Sequence, residues 1–179
     1  MALTERRFRE IFSLTEQFIE SRYGVEVSVT DVPKPFTGDL DGAQIYVDHD
    51  NSPEDAVFIL VHLFGHTVQW NLSAQDRELG MRVESRPSPD RLIALENYER
   101  EACRYSLTLV HTIGIFDLDQ WLSDFARCDF AFLKYFYLTG SKRAFRTFWM
   151  EGQPLLLPLA VPVFMPTRWT TRSGGIVIG

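Results

Sequence analysis

Four prolines, Pro154, Pro158, Pro162 and Pro166, recur every four residues with apolar triplets between them. Proline has no backbone N–H and its ring clashes with the preceding turn, so no regular helix can run through this stretch. The chain from Gln153 onward is therefore extended or irregular, and so apolar a segment needs a surface to pack on. The expected arrangement is a tail, 153–179, wrapped on a body made by 1–152. A dimer contact or a lid over a groove is the other arrangement open to it. With 179 residues the chain suits one compact domain and is too short for two full-sized ones. Its 45% hydrophobic content can fill a core, which excludes disorder for most of the chain.

The body reads as α+β, mostly helical, with a small sheet. From Thr4 to Tyr23, Phe8, Ile11, Phe12, Phe18 and Ile19 recur at helical spacing, and Gly24 follows as a C-cap. Val25 to Val29 alternates apolar and polar, the period of a half-buried strand. A turn-rich stretch, Pro33 to Gly42, leads to a second strand, Ala43 to Val47, and the two strands are expected to pair antiparallel. Ser52-Pro53-Glu54-Asp55 supplies an N-cap, a first-turn proline and early acids, predicting a helix from Pro53 to about Asn71. Ser88-Pro89-Asp90 repeats that grammar for a helix ending at His111 to Ile113. Asp117 with Gln120 reads as a capping box opening a helix that Gly140 ends, and Ser141 as the cap of a short one through Trp149.

Charge and composition exclude several functions. Eighteen basic against 24 acidic side chains, a net −6, disfavour a general nucleic-acid binder. No apolar run reaches the roughly 18 residues needed to cross a bilayer. The charged stretch Met1 to Phe12 lacks a signal peptide's apolar centre, and two cysteines, Cys103 and Cys128, make no disulfide framework. A cytoplasmic protein with reduced thiols is the expectation.

The chemistry centres on Val61-His62-Leu63-Phe64-Gly65-His66-Thr67-Val68. Residues four apart share a helical face, so His62 and His66 can aim at one point, as the paired histidines of zincins do toward zinc. Two hydrogen-bonded core histidines are the structural alternative. A third ligand comes from the next long helix, where periodicity separates two acids. Glu99 shares a stripe with Leu95, Ala102, Ser106 and Leu109, an inward face, whereas Glu101 aligns with Asn97, Arg104 and Thr108 and reads as a surface charge. A carboxylate turned into a core is costly unless paired or metal-bound. Glu99 is thus the third candidate ligand, with neutralisation by Arg100 or Arg104 as the competing explanation.

Order and spacing here resemble the minimal gluzincins of the ImmA/IrrE-type metallopeptidases. Those begin with a helix and a small sheet, carry His-Glu-x-x-His on the following helix, and take a glutamate from a later helix. That glutamate opens a Glu-x-x-Ala motif followed by Asn or Asp. The resemblance covers roughly residues 4–113, leaving the helices of 117–150 and the tail unmatched. It implies a zinc site formed by His62, His66 and Glu99, with Ala102 in place and Cys103 where Asn or Asp is usual.

One departure bears on function. The zincin motif needs glutamate after the first histidine to take a proton from zinc-bound water, and this chain has Leu63 there. His111, twelve residues beyond Glu99, lies about 18 Å away along a straight helix and is too far to substitute. Asp48, His49 and Asp50 can approach from the preceding loop, or simply form a polar turn. Cys103 reads as a buried thiol rather than a soft ligand, and Cys128 as core. The aromatic run Phe130 to Tyr137 reads as a buried helix. Arg143, Arg146, Arg168 and Arg172 form a loose basic region that solvates the surface or meets an acidic partner. Together these features predict a zincin-like metal-binding protein whose peptidase activity is lost or altered, a pseudoenzyme or regulator with a protein or peptide partner. A metal-free protein-interaction module on the same fold, and an active zinc metallopeptidase with a displaced general base, are the alternatives.

Overall fold

The computed structural model describes residues 3–82 and 86–170. Its centre is the helix α2, Pro53–Leu72, opened by Ser52, whose hydroxyl accepts from the Asp55 amide. Every residue from Val57 to Trp70 is buried, histidines included. A helix apolar on all sides needs partners on all sides, and α2 has them. The helix α1, Glu5–Tyr23, lies on one flank, the helix α4, Pro89–Thr112, on another, and the sheet on a third. The helix α1 is capped by Thr4 and, as the sequence predicts, ended by Gly24 in the left-handed conformation, φ +68°.

The sheet departs from expectation. Strand β1, Glu26–Thr30, runs parallel to β3, Gln44–Asp48, and β2, Gly38–Leu40, pairs antiparallel on the other side of β3. The antiparallel unit expected of the first two strands is thus corrected to a mixed three-stranded sheet, order β1-β3-β2. The cause is the stretch that reads as turns alone. Asp41 accepts from the Ala43 and Gln44 amides at 2.9 Å, closing a tight turn that folds β2 back onto β3. The edge left for β1 is the far one, where it runs with β3 rather than against it.

Four further elements follow. A short helix not foreseen in the sequence, α3 (Ala74–Met81), is capped by Ser73 directly after α2. The helix α4 begins under Ser88 and ends at Thr112, as its grammar predicts. The helix α5 spans Asp119–Thr139 and stops at Gly140, φ +69°. Its expected capping box does not form: Asp117 pairs with Arg7, and Gln120 donates to Asp124 and to the Gln153 carbonyl. Nor does Ser141 cap a helix; a single 3-10 turn covers Phe145–Phe148. Within α5, Phe130 and Phe132 are buried while Tyr135, Phe136 and Tyr137 are half-buried, so the aromatic run is only partly interior.

The proline-rich tail wraps the body through residue 170. Its start is tied to α5, where Asp124 accepts from the Gly152 and Gln153 amides and Ser123 from Leu156. It then crosses α4, exchanging hydrogen bonds with Arg104 and Thr108. Phe164 packs against Tyr23 and Phe64, and Trp169 reaches Asn71 and the Asp41 carbonyl. None of the described helices is long and apolar enough to cross a membrane.

Candidate metal centre

Glycine 65 sets the distance on which the centre depends. A Cβ there would stand 2.7 Å from both Cα and C of Ala102, so the absent side chain lets the α2 and α4 backbones touch. Three residues before Gly65 and one after it, His62 and His66 project from α2 toward Glu99 of α4. The three meet as an almost equilateral triangle. His66 Nε2 lies 3.0 Å from His62 Nε2 and 3.1 Å from Glu99 Oε2, and His62 Nε2 is 3.1 Å from the same oxygen. Both imidazoles are buried, and the Glu99 side chain is 14% exposed.

Outer contacts orient each ligand. The His66 Nδ1 lies 2.8 Å from Gln69 Oε1. The Gln69 amide nitrogen donates to the Tyr98 carbonyl and to Glu101 Oε2, both at 2.9 Å. Two acceptors on the NH2 group leave its oxygen facing the imidazole, so His66 carries its proton on Nδ1 and turns the Nε2 lone pair inward. For His62 the outer partner is Cys103, with Sγ 3.4 Å from Nδ1. Phe58 stacks on His62 at 5.1 Å between centroids and Tyr98 on His66 at 4.4 Å, closing the faces of both rings.

Burial and neighbouring charge act in opposite senses here. Burial, then the nearby His66, lowers the His62 pKa and favours its neutral form. Burial also resists ionisation of Glu99, but the two imidazoles beside it, His66 first and then His62, outweigh that and hold the carboxyl below its ordinary range. Burial pushes the Cys103 thiol well up, with Asp129 and Glu99 adding repulsion, so its sulfur stays protonated. Beside the triangle, α4 and α5 enclose a cavity of about 240 Å³ lined by Leu92, Leu95, Glu99, Phe130, Leu133 and Tyr137.

The donor set suits a small divalent cation. Two imidazole nitrogens and one carboxylate oxygen form a known three-ligand set for zinc. Bonds of about 2.0–2.1 Å at tetrahedral angles place donors roughly 3.3 Å apart, close to the 3.0–3.1 Å found before any ion is added. His62, His66 and Glu99 thus make a buried group that can hold a metal ion.

Other candidates are placed elsewhere. Neither arginine neutralises Glu99, since Arg100 pairs with Glu96 and Arg104 serves the Leu157 carbonyl. Glu101 is not the free surface charge expected of it, because it is half-buried and anchors Gln69. Asp48, His49 and Asp50 stand apart from the histidine group and gather around Lys34 and Asp31, as a polar turn would. His111 pairs with Asp119. Leu63 is fully buried, its Cδ1 3.0 Å from where a Gly38 Cβ would stand, so it packs on β2. Cys128 donates to the Phe145 carbonyl, its thiol pushed up to about 12 by burial. Arg146 pairs with Glu54 and Arg168 with Asp41, while Arg143 stacks on Tyr135. Arg172 lies outside the described residues.

Sequence reasoning missed Gln69, Tyr98 and Asp129. Gln69 lies three residues after His66 and seven after His62, on their helical face, which is the signal that marks it. Asp129 interrupts the apolar stripe Leu122, Phe125, Ala126 and Phe132 of α5, as Glu99 does on α4. Comparison of the chain with protein-family models, with curated proteins and with solved structures finds no match.

Proposed function

We propose that the chain is a zincin-like protein that binds zinc through His62, His66 and Glu99 and has lost or altered the peptidase chemistry of the minimal gluzincins it resembles. The observation that carries this reading is the triangle of ligand atoms 3.0–3.1 Å apart, with the His66 lone pair already turned inward by Gln69. Bound there, zinc supplies Lewis acidity toward a ligand in a fourth position.

The chain's own residues hold and orient that centre. Gln69 and Cys103 fix the outer nitrogens of the two imidazoles, and the ring faces of Phe58 and Tyr98 exclude water from them. Position 63 contributes no proton acceptor, since leucine has none and its side chain packs on β2. That is the reason for a regulatory or binding role, or for hydrolysis with a displaced base, in place of ordinary proteolysis.

Metal analysis of protein purified without added zinc tests the reading. About one equivalent of zinc, or its stoichiometric uptake on titration with a rise in unfolding temperature, is the expected result. Absence of metal together with failure to bind any on titration would refute it and leave the metal-free interaction module.

A further inference from the structure

We propose that the cavity between α4 and α5 is a ligand pocket opening onto the metal centre. Its occupant is a small organic monocarboxylate, with the carboxylate at the fourth ligand position and an apolar body held between the two helices. The inference rests on the metal-site reading and names the class of ligand that reaches that site.

The pocket follows from matched helix faces. Leu92, Leu95 and Glu99 on α4, and Phe130, Leu133 and Tyr137 on α5, recur at intervals of three and four, so each helix turns one face toward the other. Well-packed faces leave few voids larger than a water molecule, yet about 240 Å³ stays open between these two. A cavity of roughly 150 Å³ holds one benzene, so this one has room for a ring and a few further heavy atoms. Leu92, Leu95, Phe130 and Leu133 offer no side-chain hydrogen bond, which selects an apolar body for that space.

The cavity is also the way in to the centre. Of the three proposed ligands, the imidazoles of His62 and His66 are 3% and 2% exposed, and Glu99 is 14% exposed. Phe58 and Tyr98 cover the ring faces. Glu99 is itself a wall of the cavity, so a molecule approaches the triangle from between α4 and α5.

Charge around the pocket favours an anion. Glu96, on the same wall, is bracketed by Arg100 at 2.8 Å and Arg127 at 3.8 Å. Lys134 lines the pocket as well; it is exposed and makes no ion pair among the described residues. Three cations beside one acid make this a positive patch on a chain of net charge −6, and a cleft of one sign concentrates ligands of the other. With a divalent ion balancing Glu99, the inner end is positive too. The α5 wall lies beyond residues 4–113, so the resemblance to the gluzincins implies nothing about this pocket.

Phenylacetate tests the assignment on the full chain loaded with cobalt(II). Acetate serves as the head alone and 2-phenylethanol as the body alone. Calorimetric titration gives the affinities, and the visible spectrum of the cobalt reports the fourth position. Phenylacetate should bind about tenfold or more tightly than either control, the scale of two buried methylene groups, and should change the spectrum. Leu133→Trp fills the pocket: it should take up cobalt within about threefold of the wild type while phenylacetate affinity falls about tenfold or more. Leu92→Trp makes the same change from α4 and supplies the comparison if the first variant does not fold.

Phenylacetate that binds no more tightly than acetate or 2-phenylethanol overturns the assignment and leaves the metal reading intact. So does equal binding to metal-free protein, binding that leaves the cobalt spectrum unchanged, or binding that survives both tryptophan variants. Wild-type protein that takes up no cobalt overturns the metal reading, and the ligand assignment with it.

Discussion

Adding one methyl group at Gly65 should cost the centre its third ligand. The new Cβ would sit 2.7 Å from Cα and C of Ala102, backbone atoms with no rotamer through which to retreat. Restoring the 3.4 Å at which ordinary contact begins displaces α4 from α2 by at least about 0.7 Å, and by more to clear the Ala102 carbonyl oxygen, which lies nearer still. Glu99 is one turn from Ala102 on the same helix and moves with it, whereas metal–ligand bonds tolerate only about 0.2 Å. Overpacking of this kind costs about 1–3 kcal/mol, and the better helix propensity of alanine returns up to about 1 kcal/mol. A net loss near 2 kcal/mol lowers the unfolding temperature by about 4–8 °C in a domain of this size. The Gly65→Ala variant is therefore expected to melt early in calorimetry without metal, and to bind zinc at least 10- to 100-fold more weakly in a chelator competition, no less than the loss of a single supporting contact. Wild-type melting and wild-type zinc affinity in this variant would refute the argument that helix spacing sets the ligand geometry.

Three further outcomes follow from named contacts. Gln69→Leu frees the His66 Nδ1 and strips a donor from Glu101, so zinc affinity should fall about 10- to 100-fold in the same competition; an unchanged affinity would show that the His66 tautomer needs no support. Leu63→Glu, which restores the zincin sequence, should not restore its chemistry. Position 63 is fully buried against β2, and burying a carboxylate there should cost about 3 kcal/mol or more in urea unfolding; a stable variant that cleaves protein would sink this. Asp129 has a folded pKa raised above its unfolded 3.8, so stability attached to it is full below that value and is lost as pH rises. Asp129→Asn should then stabilise the metal-free protein by an amount that grows from pH 5 to pH 7, and a gap that stays constant across that range would contradict the burial of an unpaired carboxyl.

Features governed by local chemistry were legible in the sequence. Ser-Pro-acid grammar located α2 and α4 to within a residue or so, and the stripe through Leu95, Ala102, Ser106 and Leu109 singled out Glu99 over Glu101. Features decided by distant partners were not. Gly38-Asp39-Leu40 has the composition of a turn and becomes a strand only because Asp41 folds it onto β3. Asp117 would cap α5, but the Arg7 guanidinium 110 positions earlier claims its carboxylate at 3.1 Å through two nitrogens. Glu101 sits on a polar face by periodicity, yet the Gln69 side chain from α2 reaches across and takes it. Periodicity reports which way a side chain points, and says nothing of what another helix brings to meet it.

The balance of charge inside the triangle bears on what occupies it. His66 presents a lone pair because Gln69 holds its other nitrogen, and Glu99 presents an anionic oxygen 3.1 Å away. His62 lies within 3.1 Å of both. Its Nε2 can carry a hydrogen only if the Cys103 thiol donates to its Nδ1, and it can present a lone pair if that thiol accepts instead. Cys103 serves either state, so the support for His62 does not oppose a change of tautomer. A hydrogen on His62 Nε2 points at one neighbour at a time, which leaves the other two acceptors facing each other in a site with little water to screen them. A divalent cation satisfies all three contacts together. The same donors that a proton serves only pairwise are thus spaced and oriented for a metal ion, and this asymmetry weighs for the metal centre over a cluster of core histidines held by hydrogen bonds alone.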